Sequence, residues 1–294
     1  MNITSKSRET CNVCESPGHF TESSEKEHVR SNLTKFSNEK FEMWRCNSCG
    51  SLHSKNFVDL DHYYKDYPFQ TSQKSVVTKL LYKKFAKQIE SYGITKKHKI
   101  LDYGCGSGAL AKELKKLGYN VKAFDKYTPR LNDQQLLEQK YDFIILQDVI
   151  EHVEEPKKLL DELYSFLNPG GKLFIGTPNA EKLNLKNQEK YIHALHQPYH
   201  LHILSKKSLI SLVKKCGFKL EIESDIYYVD TFYPMINLRF GEYYLNLFNN
   251  NADDIMNGFR FHWKLLTPKG LALAFFGRLA PVKTQMSVVL TKVD

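Results

Sequence analysis

The stretch "KILDYGCGSGAL", Lys99–Leu110, decides the fold. Ile100 and Leu101 lead into Asp102, and three glycines then fall at alternate positions, Gly104, Gly106 and Gly108, with Cys105 between the first two. The pattern "GALAKELKKLG" follows at once and is closed by Gly118. An apolar run, a glycine-rich turn and a helical repeat predict strand, tight turn and helix. Glycines there allow φ > 0 and let the backbone approach a ligand without Cβ collisions. The spacing is G-x-G-x-G, which is not the G-x-G-x-x-G of dinucleotide folds.

The same alternation continues outward. "NVKAFD", "YDFIILQD", "GKLFIGTP", "FKLEIES" and "QMSVVLTKV" read as strands. "PKKLLDELYSFLN", with Pro156 in its first turn, and "SKKSLISLVKKCG", capped by Ser205 and ended by Gly217, read as helices. Residues 73–91, "QKSVVTKLLYKKFAKQIES", space apolar residues as an amphipathic leading helix. Strands alternating with helices predict an α/β fold, a parallel sheet with helices on both faces. In such sheets a ligand sits at the carboxyl ends of the strands, which is where the glycine turn falls.

Two carboxylates frame that turn. Asp102 precedes it, and Asp125 ends the next strand, "NVKAFD". An acid at the first place repels a pyrophosphate but attracts an amino group. An acid at the second accepts hydrogen bonds from ribose hydroxyls. The pair suits a nucleoside joined to an amino acid, and S-adenosylmethionine fits. "LDYGCGSG", Asp125, "YDFIILQDVIEHV" and "LNPGGKLFIGTPN", in that order, resemble the class I S-adenosylmethionine-dependent methyltransferases, closest to the branch of ubiquinone-biosynthesis O-methyltransferases. The resemblance covers roughly residues 96–225 and implies a Rossmann-like sheet of seven strands ending in a reversed one. It places the cofactor on Asp102, Gly104, Cys105, Gly106, Gly108 and Asp125. The link from Asp125 to Tyr141 is too short for the usual helix, strand and connection, so the third strand is expected to be shortened or lost. Gln147 and Asp148 then stand in for the usual adenine-side contact.

The N-terminal part of the chain carries two cysteine pairs, Cys11/Cys14 and Cys46/Cys49, with a long polar stretch between them. C-x₂-C twice is the spacing of a four-thiolate zinc ribbon, and a closed four-sulfur site makes the zinc structural. Redox dithiols are the competing reading. His19, His28 and His53 lie nearby and read as surface histidines rather than ligands. The expected organisation is a zinc-ribbon module over 1–60, a linker and leading helix over 61–95 with Pro68 as a breaker, and the methyltransferase domain over 96–294. Residues 226–284 form an insertion between the last two strands. A zinc ribbon, "DHYYKDYPF" and then this domain also resemble bacterial methyltransferases of surface-polysaccharide and deoxysugar pathways. The sugar C-methyltransferases among them carry a further C-terminal domain for which this chain has no room. That likeness implies that Tyr63 and Tyr64 approach the substrate.

For the chemistry, "QDVIEHVEEP" follows the fourth strand of the pattern. Asp148, Glu151 and His152 are spaced to share one helical turn. Either His152, oriented by Glu151, is a general base, or the three hold a divalent ion that lowers the pKa of a substrate hydroxyl. The ubiquinone-pathway resemblance implies metal at these positions. "HQPYHLHILSKKSL" adds His196, His200 and His202, with His200 the first choice to face the substrate. The insertion is rich in aromatics, Tyr227, Tyr228, Phe232, Tyr233, Phe240, Tyr243, Tyr244 and Phe248, and reads as a lid or a packed helical extension.

Composition bounds the partners. The formal charge is +9, yet no lysine block reaches five, so the cations read as a solvated surface rather than a nucleic-acid arm. There is no apolar run long enough to span a membrane, and "MNITSKSRET" has no apolar signal core, so a cytoplasmic enzyme is expected. "GLALAFFGRLAP" is the one stretch suited to peripheral membrane contact. The expected function is methyl transfer from S-adenosylmethionine to a small-molecule hydroxyl or carbon, most readily of a sugar, nucleotide-sugar or lipid-linked glycan precursor. The alternatives are a zinc-ribbon RNA methyltransferase, although the Asn/Asp-Pro-Pro-aromatic signature of amino-group nucleic-acid methylases is absent, and a non-catalytic zinc-ribbon interaction protein.

Overall fold

The structure is a computed structural model, and it describes residues 8–14, 18–65, 67, 76–226, 228–255 and 259–293. Pro68, residues 73–75 and Tyr227 lie outside the described residues. In chain order the elements are β1 (Lys26–Arg30), β2 (Lys40–Arg45), β3 (Leu52–Ser54), α1 (Leu60–Tyr64), α2 (Val76–Ser91), β4 (Lys99–Tyr103), α3 (Ala109–Lys116) and β5 (Asn120–Phe124). They continue with β6 (Tyr141–Gln147), α4 (Pro156–Phe166), β7 (Leu167–Pro178), α5 (Ile192–Leu195), β8 (His202–Ile203), α6 (Lys206–Lys215), β9 (Phe218–Ser224), α7 (Leu238–Asn246), α8 (Pro268–Phe276) and β10 (Gln285–Lys292).

Among the described residues the main sheet has six strands, in the order β5-β4-β6-β7-β10-β9. β5, β4, β6 and β7 are parallel, and β10 runs antiparallel to both of its neighbours. This is the Rossmann-like methyltransferase arrangement with its reversed strand, but with six strands where the resemblance implied seven. Between β5 and β6 the chain makes only short 3-10 turns, Pro129–Leu131 and Gln134–Glu138. The connection is too short to lay down a strand and return, so β5 is the edge.

Burial follows from the pattern. β6 buries Tyr141 and every residue from Phe143 to Leu146, as a central strand covered on both faces must. On one face, Phe85 and Ile89 of α2 and Leu114 of α3 pack on Ile100, Phe143, Ile145 and Phe174. On the other, Leu160 and Leu163 of α4 and Leu209 and Leu212 of α6 pack on Leu101, Ile144, Leu146 and Ile175. Each such side chain contributes about 1.5–3 kcal/mol by leaving water.

The N-terminal region is bonded into this core. A second sheet, β1-β2-β3-β8, takes its fourth strand from the far side of the chain, with His53 opposite His202. β2 is buried on both faces. Its Trp44 joins Cys11 and Cys46 in the cluster under the main sheet, whereas Met43 packs with Leu183, Ile192 and Leu195. His53 corrects the sequence reading, because it is fully buried, with Nδ1 2.9 Å from Nδ1 of His202. His19 and His28 are exposed.

Candidate active site

The glycine turn leaves β4 at its carboxyl end. Gly104, Gly106 and Gly108 have φ of 71, 53 and 71°. A Cβ on Gly104 would stand 2.4 Å from Cγ2 of Val149, so the turn closes only with glycine there. Asp125 holds the loop open from β5. Its Oδ2 accepts from the Gly106 amide at 2.8 Å and its Oδ1 from the Tyr127 amide at 3.0 Å. A carboxylate oxygen has two acceptor sites, so each retains one toward solvent or ligand.

A cavity of about 540 Å³ opens above this turn, lined by Gly104, Gly106, Asp125, Tyr127, Asp148 and His152 among others. Asp102 lies beneath it and is 3% exposed, and its Oδ2 has no hydrogen-bond partner among the described residues. Burial lifts its carboxyl to about 7, with the Ala111 amide opposing and Asp125 adding. Tyr82 from α2 reaches the same corner, its phenol pushed up to about 12 by burial and then by Asp102 and Asp148. A buried acid with an unused oxygen and bare backbone beside it fit a cationic amino acid group. The residues present therefore suit S-adenosylmethionine. Asp102, Cys105, Gly108 and Gln147 are not among the lining residues. Gly108 caps α3, and Gln147 turns toward Gly176, where a Cβ would meet its Oε1 at 2.2 Å.

A second cavity, of about 480 Å³, adjoins the first, and Tyr67, Asp148 and His152 line both. Its other walls include Asn32, Lys190, His193, His196, His200 and Glu242. Asp148 itself sits at φ 53°, a left-handed backbone that side chains seldom adopt, where β6 gives way to the loop carrying Glu151 and His152.

Three expected catalytic residues meet here. The ligand atoms of Glu151, His152 and His200 lie within 4.8 Å of one another. Glu151 is fully buried. Its Oε2 accepts from Thr177 at 3.0 Å, while its Oε1 has no hydrogen-bond partner among the described residues and stands 4.0 Å from Nε2 of His200. Burial, then Asp148, raises its carboxyl well above the ordinary range. His200 Nδ1 lies 2.7 Å from the Ala194 carbonyl, which only accepts, so Nδ1 carries the proton and Nε2 the lone pair. Burial holds His200 far below the usual histidine range and His152 down to about 4, so both rings are neutral near pH 7.

Two expectations need correction. Glu151 does not orient His152; it faces His200, and the partner at His152 Nδ1 is the Tyr64 hydroxyl at 3.0 Å. At this junction, among the described residues, the cluster able to hold a cation is Glu151, His152 and His200, with Asp148 outside it. Two helices, α4 and α5, and the strand β7 separate His200 from His152 in the chain, so no local spacing shows the pairing. Leu201 N–H donates to the Glu151 carbonyl at 2.8 Å and zips the two segments together.

The two candidate tyrosines diverge. Tyr64 lines the first cavity and stacks on Tyr127 with centroids 4.4 Å apart. Tyr63 turns away from both cavities: its ring packs on Phe36 with centroids 4.8 Å apart, and its hydroxyl donates to Glu39 at 2.6 Å. Tyr67, which the sequence did not single out, lines both, and its hydroxyl is 3.0 Å from Nε2 of His196. His196 Nδ1 in turn donates to Asn32 Oδ1 at 2.7 Å, which leaves Nε2 to accept from Tyr67. Asn32 and His193 were missed for the same reason as the Glu151–His200 pairing: they approach only in three dimensions.

The four cysteines converge as their spacing implied. Their sulfurs lie within 4.8 Å of one another, and three of the separations are 3.6, 3.8 and 3.8 Å. A tetrahedron of sulfurs about 2.3 Å from zinc has edges of about 3.8 Å, so the set fits that ion. His202 is walled off from the catalytic cluster, with Nε2 3.1 Å from the Glu154 carbonyl.

Comparison with known proteins bears on the family. The profile of the methyltransferase-domain family matches residues 75–222, just over half of the chain. The ubiquinone biosynthesis O-methyltransferase of Colwellia psychrerythraea is 27% identical over 157 residues, covering 44% of this chain and 64% of that protein. The protein of the same name from Caulobacter vibrioides is 31% identical over 102 residues, covering 27% and 40%. The chain thus spans less than two thirds of the length of these relatives. A SAM-dependent methyltransferase from Archaeoglobus fulgidus is similar in structure, with TM-score 0.44 and 14% identity over 79% of this chain and 99% of that one. Magnesium protoporphyrin IX methyltransferase from Synechocystis, solved with bound SAH, gives 0.43 and 13% over 80% and 95%. With its glycine turn, its reversed last strand and a family match over most of the main sheet, this chain belongs to the methyltransferase-domain family.

Proposed function

We propose that the protein transfers a methyl group from S-adenosylmethionine to a hydroxyl of a small polyhydroxylated acceptor of the sugar class. The observation that carries this reading is the junction of two cavities at Asp148 and His152. When bound, the cofactor supplies an electrophilic methyl group and a neutral thioether leaving group. Asp102, Asp125, Gly104 and Gly106 hold it. The second cavity offers an acceptor hydrogen-bonding groups that are neutral or singly charged, namely Asn32, His193, His196, Lys190 and Glu242. His200 takes the hydroxyl proton at Nε2, the lone pair left by its bond to Ala194. Positive charge arriving in the neighbouring cavity favours the ionised form of Glu151, and that carboxylate stabilises the His200 imidazolium. Oxygen is favoured as the acceptor atom because both curated relatives named above are O-methyltransferases.

A second reading rests on the same cluster. Glu151 Oε1 without a partner and the His200 lone pair, with His152 beside them, suit a divalent cation. When bound, it would supply Lewis acidity at the acceptor oxygen, with Glu151, His152 and His200 as its protein donors. The four-cysteine cluster is read as a structural zinc site that ties the N-terminal region to the main sheet.

The test incubates the protein with methyl-labelled cofactor and separate pools of nucleotide sugars, lipid-linked glycans and RNA, with and without added magnesium. Label in a sugar pool supports the reading. Label confined to RNA, or none transferred while the cofactor binds, contradicts it. Dependence on magnesium selects the cation over the free base.

A further inference from the structure

The insertion between β9 and β10 carries a surface that methyl transfer does not explain. Phe259, Phe261, Trp263, Leu266, Leu271, Phe275, Phe276 and Leu279 are all exposed, with Trp263 at 65%, Phe276 at 65% and Leu279 at 71%. Phe232, Tyr233 and Met235 are exposed as well. They belong to the same patch, because the Met235 amide donates to the Ala274 carbonyl of α8 at 2.8 Å and the Arg278 guanidinium lies 5.4 Å from the Phe232 ring. Large apolar patches of this kind mark a binding surface rather than ordinary scatter.

Charge identifies the partner. Residues 259–283 contain five cations, Arg260, Lys264, Lys269, Arg278 and Lys283, and no carboxylate. Arg260 pairs with Asp254, but Lys264 and Lys269 have no ion-pair partner among the described residues and are exposed. Lys264 Nζ stands 5.9 Å from the ring of Trp263. Exposed aromatics with lysines beside them and no acid among them are what the interface of an anionic bilayer accepts: rings at headgroup level and cations toward the phosphates. A protein partner of ordinary surface would leave the lysines without systematic compensation. No helix among the described residues is long and apolar enough to cross a membrane, so the contact is peripheral.

We infer that the insertion docks the protein on an anionic lipid surface through Trp263, Phe275, Phe276 and Leu279, steered by Lys264 and Lys269. Its placement gives this a purpose. Asn237, Leu238, Gly241, Glu242 and Leu245, from the same insertion, wall the second cavity. The bilayer is thereby brought beside the acceptor chamber, where an amphiphilic acceptor would keep its tail in lipid while its headgroup enters.

The chain has two tryptophans, and they differ in a useful way: Trp44 is fully buried and donates to the Arg8 carbonyl, while Trp263 is exposed. The test mixes the full chain with phosphatidylcholine vesicles, with or without phosphatidylglycerol, and reads tryptophan emission and flotation. A blue shift and co-flotation with the anionic vesicles are expected, weakened by salt. Trp263→Phe removes the shift but not the flotation. Lys264→Gln with Lys269→Gln weakens vesicle binding roughly 25-fold, about fivefold for each cation. Phe276→Ser with Leu279→Ser abolishes flotation while leaving the thermal unfolding transition in place, since both side chains are already in water. Emission unmoved and chain left in the soluble fraction with anionic vesicles overturn the proposal. So does equal binding to uncharged vesicles, or shielding of Trp263 by self-association without lipid. None of these readouts depends on cofactor or turnover, so they stand apart from the methyltransferase reading.

Discussion

The two cavities that meet at His152 are built on opposite electrostatic plans. The first is floored by bare backbone and surrounded by acids: Asp102 beneath, Asp125 at one side, Asp148 at the junction. It asks for positive charge. The second is walled by histidines that burial keeps neutral, His193 at about 4 and His196 at about 3, and by Glu242, lifted to about 7. It offers hydrogen bonds and proton acceptors with little net charge. A sulfonium reagent and the neutral hydroxyl acceptor proposed for it need this division. The first must be held by charge, and the second must find a base that is not already protonated.

Outside both cavities, losing the four-cysteine cluster is expected to have the largest effect on the molecule as a whole. Cys46→Ser, or removal of metal by a chelator, should lower the thermal transition by ten degrees or more, since structural zinc contributes on the order of several kcal/mol and Cys46 sits in the core under the main sheet. An unchanged transition would separate that cluster from the fold. Next comes the floor of the first cavity. Gly104→Ala puts a Cβ at φ 71° and 2.4 Å from Val149, and should weaken cofactor binding by more than about 100-fold by calorimetry. Asp125→Asn keeps the shape and removes the charge, so a smaller loss of roughly 10–100-fold is expected.

The second cavity should respond to pH. Buried neutral histidines have folded pKa values below their unfolded value of about 6.5. The unfolded chain therefore binds more protons as the pH falls, and stability is complete above about 6.5 and lost progressively toward 4 and below. His193, at about 4, contributes on the order of 2–3 kcal/mol to this loss. Urea midpoints measured from pH 8 to 4 should fall steadily below 6.5, and a flat profile would mean that these rings are solvated. The smallest effect separates the two adjacent tyrosines. Tyr63→Phe should leave kcat/KM within about twofold, because its hydroxyl bonds Glu39 at the surface, whereas Tyr64→Phe frees His152 Nδ1 and should cost roughly tenfold.

The same two regions show how far a sequence can be read. The first cavity lies within one strand-turn-helix and the end of the next strand, so Asp102, the glycines and Asp125 stood at fixed offsets in the chain. The shortened link from Asp125 to Tyr141 likewise announced a missing strand, because length alone forbids it. The second cavity gathers Asn32, Tyr67, His152, His196, His200 and Glu242 from five separated segments. No periodicity brings these together. What does is the addition of β8 to the N-terminal sheet and the Leu201–Glu151 backbone bond. Tyr63 and Tyr64 show a subtler limit: neighbours on a one-turn helix point apart, and only packing decides which faces inward.

The central claim is that the sulfonium nucleoside lies over the glycine turn with its reactive end at the junction of the two cavities. A crystal structure with S-adenosylhomocysteine tests it directly. The account predicts ribose hydroxyls on Asp125, the amino group near Asp102 and the sulfur turned toward Asp148 and His152. A nucleoside lying in the histidine-lined cavity, or Asp125 making no contact with a sugar, would contradict it.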